Sequence, residues 1–348
     1  MLFSCGLLMA TVAGVEMAKK FPKSNKKKIY EVLEALRYAG GKTPNQLNKK
    51  KSDKHLVFEL KPGMCPKDFM DLQPRINSHL KAETDIYSNN GDLHIEVMSD
   101  KLRRKEKYEA LEPPEEMTIP IPIGHSRNGF IWADLVALKH LVVAGEIGGG
   151  KSNFLHQAIS CLTQYKNLKL YIIDLKKVEF GYLQKHAEIV MTLPDAIGVL
   201  ESLCLEMVSR MDMLIKKERN NIKYTNLPYL VLIIDELSQL SPELAKDPDV
   251  KKMRKEAHQM LTDILCLARA LGIHVILSTQ RPDKDVLPGQ LKANIPAALC
   301  FKVKNETNSR IILDNNKADL LPRIPGRAIW QWDVEREVQV MYLPVSPV

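Results

Sequence analysis

The chain has 348 residues, of which 45% are apolar and 26% charged, with 17 Gly and 20 Pro. That supports one large or two ordinary globular domains, and it excludes a collagen-like, coiled-coil or mostly disordered chain. The six cysteines (Cys5, Cys65, Cys161, Cys204, Cys266 and Cys300) contain no C-x-x-C pair. A disulfide scaffold or zinc ribbon is therefore not expected, and a reducing compartment fits better. The net charge of +8 is concentrated: residues 1–60 hold 12 Lys/Arg against 5 Asp/Glu, which leaves +1 for the remaining 288. A basic tail of this kind can meet the phosphates of nucleic acid or of lipid.

In chain order, residues 2–15 are uncharged and mostly apolar, and a cationic run from Lys19 to Lys28 follows. Charge after the apolar stretch is the reverse of a secretory signal and puts the C-terminal side in the cytoplasm. Residues 1–18 are thus expected to form a membrane anchor and 19–44 a basic juxtamembrane segment. The apolar stretch is shorter than a full span, and a buried helix or a start site placed too late remains the alternative. A short helix is expected over 29–40, broken at 40–44. Residues 45–100 then suggest a small α+β domain, with a strand at 55–60 and a turn at Pro62-Gly63. Phe69, Leu72, Ile76 and Leu80 mark a helix that Pro74 must kink or delay, and a hairpin closes on Asn90-Gly91. The charged run from Lys101 to Lys107 and Pro113-Pro114 predict a linker over 101–116.

From residue 117 the pattern changes. Strands are expected at 141–144, 168–174, 229–235, 274–279 and 297–303, with a last one at 334–343. Helical patterns cover 151–164, 195–218 and 250–271. Strands alternating with helices of this length predict an α/β domain over 117–348 with a mainly parallel sheet.

The strongest local signal is Gly145-Glu146-Ile147-Gly148-Gly149-Gly150-Lys151-Ser152, between a predicted strand and a predicted helix. Glycines let successive N–H groups curl around one anion, and the helix N-terminus adds partial positive charge. Lys151 supplies a point charge to the β- and γ-phosphates of ATP, and the Ser152 hydroxyl can ligate Mg²⁺. Residues 230–236 form an apolar strand ending in Asp235 and Glu236. On its own such a pair is more often a helix cap; with a phosphate loop upstream, Asp235 becomes the Mg²⁺ residue and Glu236 the base that polarises the attacking water. At the end of another strand, Thr279-Gln280-Arg281-Pro282 is a polar loop in which Gln280 can contact the γ-phosphate or its water.

The segment Ala268-Arg-Ala-Leu-Gly-Ile-His-Val-Ile-Leu-Ser-Thr-Gln-Arg-Pro282 closely resembles the FtsK/SpoIIIE family of DNA-pumping ATPases. Further resemblance lies in Leu291–Pro296, Ser309–Asp314, Ile173-Asp-Leu-Lys176 and Glu206-Met-Val-Ser-Arg210. It covers about 117–343. The resemblance implies a RecA-like P-loop motor that assembles into a ring, usually a hexamer, and threads nucleic acid through its centre. It also implies ATP sites between subunits, each completed by a neighbour's arginine, whose position here is Arg269. Family motors often carry a lysine where this chain has Asn305-Glu306-Thr307, so a second trans-acting cation is in doubt, with Arg310 a weaker substitute.

The smaller FtsK-like proteins of Gram-positive conjugative elements are the nearest fit. Neither a winged-helix domain after the motor nor four membrane spans before it are seen. Such proteins feed relaxase-bound DNA to a transfer channel, so the resemblance implies DNA, further copies of the chain, a relaxase, channel proteins and the membrane as partners. Lys246, Lys251, Lys252, Arg254 and Lys255 form either a pore-facing cluster or a solvated helix face. Rival readings are a secretion ATPase of the same fold that moves polypeptides, and a non-hydrolysing nucleotide-dependent scaffold.

Overall fold

The computed structural model describes residues 27–29, 31, 45–46, 55–60, 65–82, 84–89, 91–98, 102–177 and 179–344. The apolar segment 1–18, most of 19–44 and the Pro62-Gly63 turn lie outside the described residues. Among those described, no helix is long and apolar enough to cross a membrane. The chain divides into two units, Met1–Lys101 and Leu102–Val348.

Among the described residues the first unit holds a four-stranded antiparallel sheet and two short helices after Cys65, with residues 27–29 and 31 also helical. Its elements are β1 (Asn45–Gln46), β2 (His55–Glu59), α1 (Pro66–Met70), α2 (Gln73–Leu80), β3 (Thr84–Asn89) and β4 (Asp92–Val97), in sheet order β1-β2-β4-β3. Phe58, Phe69, Ile76, Leu93 and Ile95 are fully buried and form its core. Pro74 does not kink a helix. It stands in the first turn of α2, where the missing N–H costs no hydrogen bond, and so divides the expected single helix in two.

The second unit opens with β5 (Glu106–Lys107), β6 (Pro120–Ser126), β7 (Gly129–Asp134), α3 (Leu135–Leu138), β8 (His140–Ala144), α4 (Lys151–Leu162), β9 (Leu168–Ile173) and β10 (Glu188–Val190). It continues through α5 (Leu193–Lys216), β11 (Tyr229–Ile234), α6 (Pro248–Leu267), β12 (Ile273–Thr279), α7 (Gly289–Lys292) and β13 (Ala297–Phe301). The last elements are α8 (Glu306–Leu313), α9 (Lys317–Leu320), β14 (Arg327–Gln331), β15 (Arg336–Gln339) and β16 (Met341–Tyr342). Ten strands make one sheet in the order β10-β9-β11-β12-β8-β13-β14-β15-β6-β7. From β10 to β13 the strands run parallel; from β13 to β7 every pairing is antiparallel. The parallel part matches the expected α/β pattern, and the antiparallel extension had little sequence signal. In β6 the prolines Pro120 and Pro122 cannot donate to a ladder, and the register to β7 shifts between Pro122 and Gly124.

Both faces of the parallel strands are covered, which is why they are continuous apolar runs rather than alternating ones. Along β11, Leu230, Leu232 and Ile234 join the core under α5 and α6, while Val231 and Ile233 join the core under α4. The expected linker belongs, from Leu102 onward, to this second unit. There β5 pairs in parallel with β16, and the buried Arg327 guanidinium donates to the carbonyls of Leu102 (3.3 Å) and Arg103 (2.9 Å).

Arg210 on α5 is 1% exposed and donates to the carbonyls of Leu271 (2.7 Å) and Pro228 (2.9 Å) and to Glu206 (2.7 Å). It ties the segments entering β11 and β12 to one helix. Arg210→Ala strands two carbonyls and opens a cavity, and should lower stability by about 3 kcal/mol. Urea denaturation checks this; a loss below about 1 kcal/mol would remove the structural role.

Candidate functional site

The phosphate loop leaves β8, every residue of which is buried, and enters α4. It is anchored from three sides: Gly145 N–H donates to Thr279 O (3.3 Å), Glu146 N–H to Lys302 O (2.9 Å), and Gly326 N–H to Gly149 O (2.8 Å). Two glycines are required by shape. Gly145 has φ +152°, and a Cβ there would lie 2.6 Å from Phe301 Cβ. Gly150 has φ +118°, and a Cβ would lie 3.0 Å from Gly326 N and 3.1 Å from the Phe301 ring. Gly148 also takes a positive φ, whereas Glu146 and Ile147 complete the turn, Ile147 with its side chain exposed.

Lys151 is 5% exposed, and its Nζ donates back to Gly145 O at 2.8 Å. Burial lowers its pKa to about 8; Glu236 and Asp235 oppose that shift and Lys176 adds to it. Phosphate favours the charged form, so a bound nucleotide must raise this value. Binding should therefore take up a proton above pH 8, and affinity should fall as pH rises beyond it. Titration calorimetry of a non-hydrolysable ATP analogue at pH 8.5, in buffers of different ionisation enthalpy, reads that proton directly. Zero uptake would mean that Lys151 does not meet the phosphates.

The carboxylates come from the end of β11. Asp235 is buried, and desolvation first, then the neighbouring Asp174, Glu179 and Glu236, raise its pKa to about 6, while Lys176 works against the rise. Ser152 Oγ donates to Glu179 Oε1 at 3.3 Å. The Asp174 carboxylate organises the loop after β9, accepting from the N–H groups of Lys177, Glu179 and Phe180. Among the described residues no three acidic, His or Cys side chains group to hold a metal ion by themselves, but one carboxylate and one hydroxyl, with water in the other positions, fit a hard divalent cation such as Mg²⁺. Asp235 and Ser152 would hold it.

Glu236 is the most heavily tied side chain in the site. Its Oε1 accepts from Thr279 Oγ1 (3.0 Å), Ser238 Oγ (2.9 Å) and Gln280 N–H (3.2 Å), and its Oε2 pairs with Lys176 Nζ at 3.1 Å. Gln280 thus meets Glu236 through its backbone N–H, and it also lines the cavity at the phosphate loop. Sequence reasoning missed Lys176, Thr279 and Glu179 as site residues. The first two lay inside strings already matched, Lys176 three residues past β9 and Thr279 directly before Gln280. Glu179 had no local signal, because a folded-back loop places it.

Arg269 lies elsewhere. It is exposed in the turn Ala268–Leu271 that precedes β12, whereas the phosphate loop follows the other end of the sheet, where Thr279 pairs with Ala144. Six residue steps of β12 separate those ends by about 20 Å, farther than an arginine side chain spans. Arg310 is occupied by Glu306 one helical turn away, at 2.6 Å. In the α6 cluster, Arg254 donates to Ser241 O and Lys251 pairs with Glu243, while Lys246, Lys252 and Lys255 are exposed.

A glycine-rich loop at the head of α4, with an Asp-Glu pair on a strand one place removed across β12, defines a P-loop NTPase fold. Residues 104–226 match the FtsK/SpoIIIE family, and the chain carries an FtsK/SpoIIIE family domain. It is 35% identical over 233 residues to the DNA translocase FtsK of Chlamydia pneumoniae, an alignment covering 59% of this chain and 28% of that protein. With DNA translocase FtsK of Lactiplantibacillus plantarum the identity is 32% over 227 residues, covering 58% and 27%. The chain therefore spans under a third of the curated relatives it matches. Among solved structures, the pCW3 conjugation coupling protein TcpA, in its monomer form with ATPγS, superposes with a TM-score of 0.67 at 24% identity, covering 92% of this chain and 95% of that one. The cytoplasmic domain of the Thermomonospora curvata type VII secretion ATPase EccC gives 0.57 at 20% identity, covering 68% and 30%.

Proposed function

We propose that the protein is an ATP-driven DNA translocase of the conjugative coupling type, hydrolysing ATP at the interfaces of a homo-oligomeric ring of six subunits to move DNA through it. The observation that carries the reading is the position of Arg269. The phosphate loop, Asp235 and Glu236 converge at one end of the sheet, and Arg269 stands at the other end, out of reach of the subunit's own site, as an arginine serving a neighbour's site would. Leu205 and Val208 on α5, which packs against the turn carrying Arg269, and Leu267 at the end of α6 are exposed apolar side chains that a neighbouring subunit would cover. Support for DNA as the substrate comes from the FtsK relatives, and support for the coupling role from the near full-length likeness to TcpA.

In this reading the loop amides and Lys151 hold the β- and γ-phosphates at the N-terminus of α4. When bound, Mg²⁺ offsets the charge on the transferring phosphoryl group. Glu236 takes a proton from the attacking water as the new O–P bond forms and the bond to the β–γ bridging oxygen breaks. A neighbour's Arg269 meets the charge that develops. Relaxase and channel proteins are proposed partners, and the apolar-then-basic order of residues 1–28 supports a place at the cytoplasmic face of the membrane.

ATP turnover by the full chain is to be measured alone, with single-stranded DNA and with duplex, at low salt, with Lys151→Ala as blank. At least fivefold stimulation by one DNA form is expected, falling as salt rises. A rate indifferent to both, in a preparation shown to form rings, would point instead to a polypeptide-moving ATPase.

A further inference from the structure

The cavity at the phosphate loop has a volume of about 600 Å³ and extends well past the loop. Beyond Gly148, Gly150 and Lys151 it is lined by Arg104, Lys105, Met341 and Tyr342, which belong to β5, the segment before it, and β16. That part of the wall runs beside the first turns of α4. Asn153 Nδ2 donates to Leu343 O at 2.7 Å, Leu343 N–H returns to Asn153 Oδ1 at 3.3 Å, and Gln157 Nε2 donates to Met341 O. The stretch from Lys151 to Gln157 covers about 9 Å along the helix axis. This part of the cavity has room for the ribose and base of a nucleotide whose phosphates sit on the loop.

One side chain there is suited to a base. Tyr342 is half exposed, and one face of its ring is covered by Lys105 Nζ, 4.4 Å from the centroid. Its backbone is fixed on both sides: it pairs with Lys107 across β5, and its carbonyl accepts from Tyr108 N–H at 3.0 Å. A rigidly mounted aromatic face in a cavity continuous with a phosphate loop is a stacking platform for a nucleobase.

We infer that Tyr342 holds the nucleobase of the bound nucleotide by stacking, and that the base takes the ring face against which Lys105 lies. The wall that receives the base is therefore built from the segment entering the ATPase domain and from its last strand. This rests on the reading of the loop as a nucleotide site and adds a specificity-determining residue to it. Because β5 and β16 are paired, displacement of Lys105 makes the entering segment responsive to the base and not only to phosphate.

The test compares AMP-PNP with inorganic tripolyphosphate, both with Mg²⁺, by titration calorimetry on the full chain. Wild type is expected to bind AMP-PNP at least tenfold more tightly than tripolyphosphate. Tyr342→Ala should lose about tenfold in AMP-PNP affinity and keep its tripolyphosphate affinity, while Tyr342→Phe should retain both. Lys105→Ala, which frees the ring face, should bind AMP-PNP at least as well as wild type. An equal loss for both ligands in Tyr342→Ala would make the residue merely structural and overturn the inference. So would equal affinities in wild type, with nucleotide binding itself intact. Loss of AMP-PNP affinity in Lys105→Ala would overturn the displacement. Wild type that binds neither ligand would overturn the nucleotide reading, and this inference with it.

Discussion

Glu236→Gln is expected to bind ATP with near wild-type affinity and to turn it over about a thousandfold more slowly. The substitution keeps the shape of a buried side chain that accepts from Thr279, Ser238 and Gln280. It removes the charge that pairs with Lys176 and the oxygen that takes the water's proton, and such a base contributes about 10²–10⁴ in rate. The comparison with Lys151→Ala is what makes the result specific. Lysine is needed at the phosphates themselves, so that variant should lose turnover together with affinity. A single-turnover rate for Glu236→Gln within tenfold of wild type would remove Glu236 as the base.

Arg269→Ala should bind ATP normally, hydrolyse it more slowly by about a thousandfold or more, and recover part of its activity when mixed with Lys151→Ala subunits. Each variant is nearly dead alone. In a mixed ring, one kind of interface pairs an intact phosphate loop from the Arg269→Ala subunit with an intact arginine from the Lys151→Ala subunit. Arginines supplied in this way are worth about 10³–10⁵ in phosphoryl transfer, so even a minority of repaired interfaces would stand above the background. The measurement is the rate against mixing ratio, which should rise to a maximum between the two pure variants. A straight line between them would show that Arg269 does not act across an interface.

The parallel half of the ATPase domain was legible because burial on both faces writes each strand as an uninterrupted apolar run, bounded by helices of helical period. The phosphate loop and the Asp235-Glu236 pair were legible for a related reason: their chemistry is local, and all the residues needed are neighbours in sequence. What could not be read is what depends on chain folding back. Lys176 meets Glu236 across 60 positions and Arg327 meets Arg103 across 224, and no periodicity encodes such a meeting. The segment 102–107 looked like a linker because its charged residues carry no strand pattern. It became part of the domain by pairing with two residues near the C-terminal end of the chain. The prolines of β6 concealed a strand in the same way, since their ladder is carried by partners distant in sequence.

Strand β12 is buried at all seven positions, with parallel partners on both sides. Its last residue, Thr279, grips Glu236, and the turn before its first residue carries Arg269. In the ring proposed above, the two ends of this strand would stand at two different ATP sites, a subunit's own and its neighbour's. So many ladder bonds keep the strand from stretching or slipping by a residue, so it would act as a push-rod. Whatever nudges Glu236 at one site would displace Arg269 at the next by a similar distance.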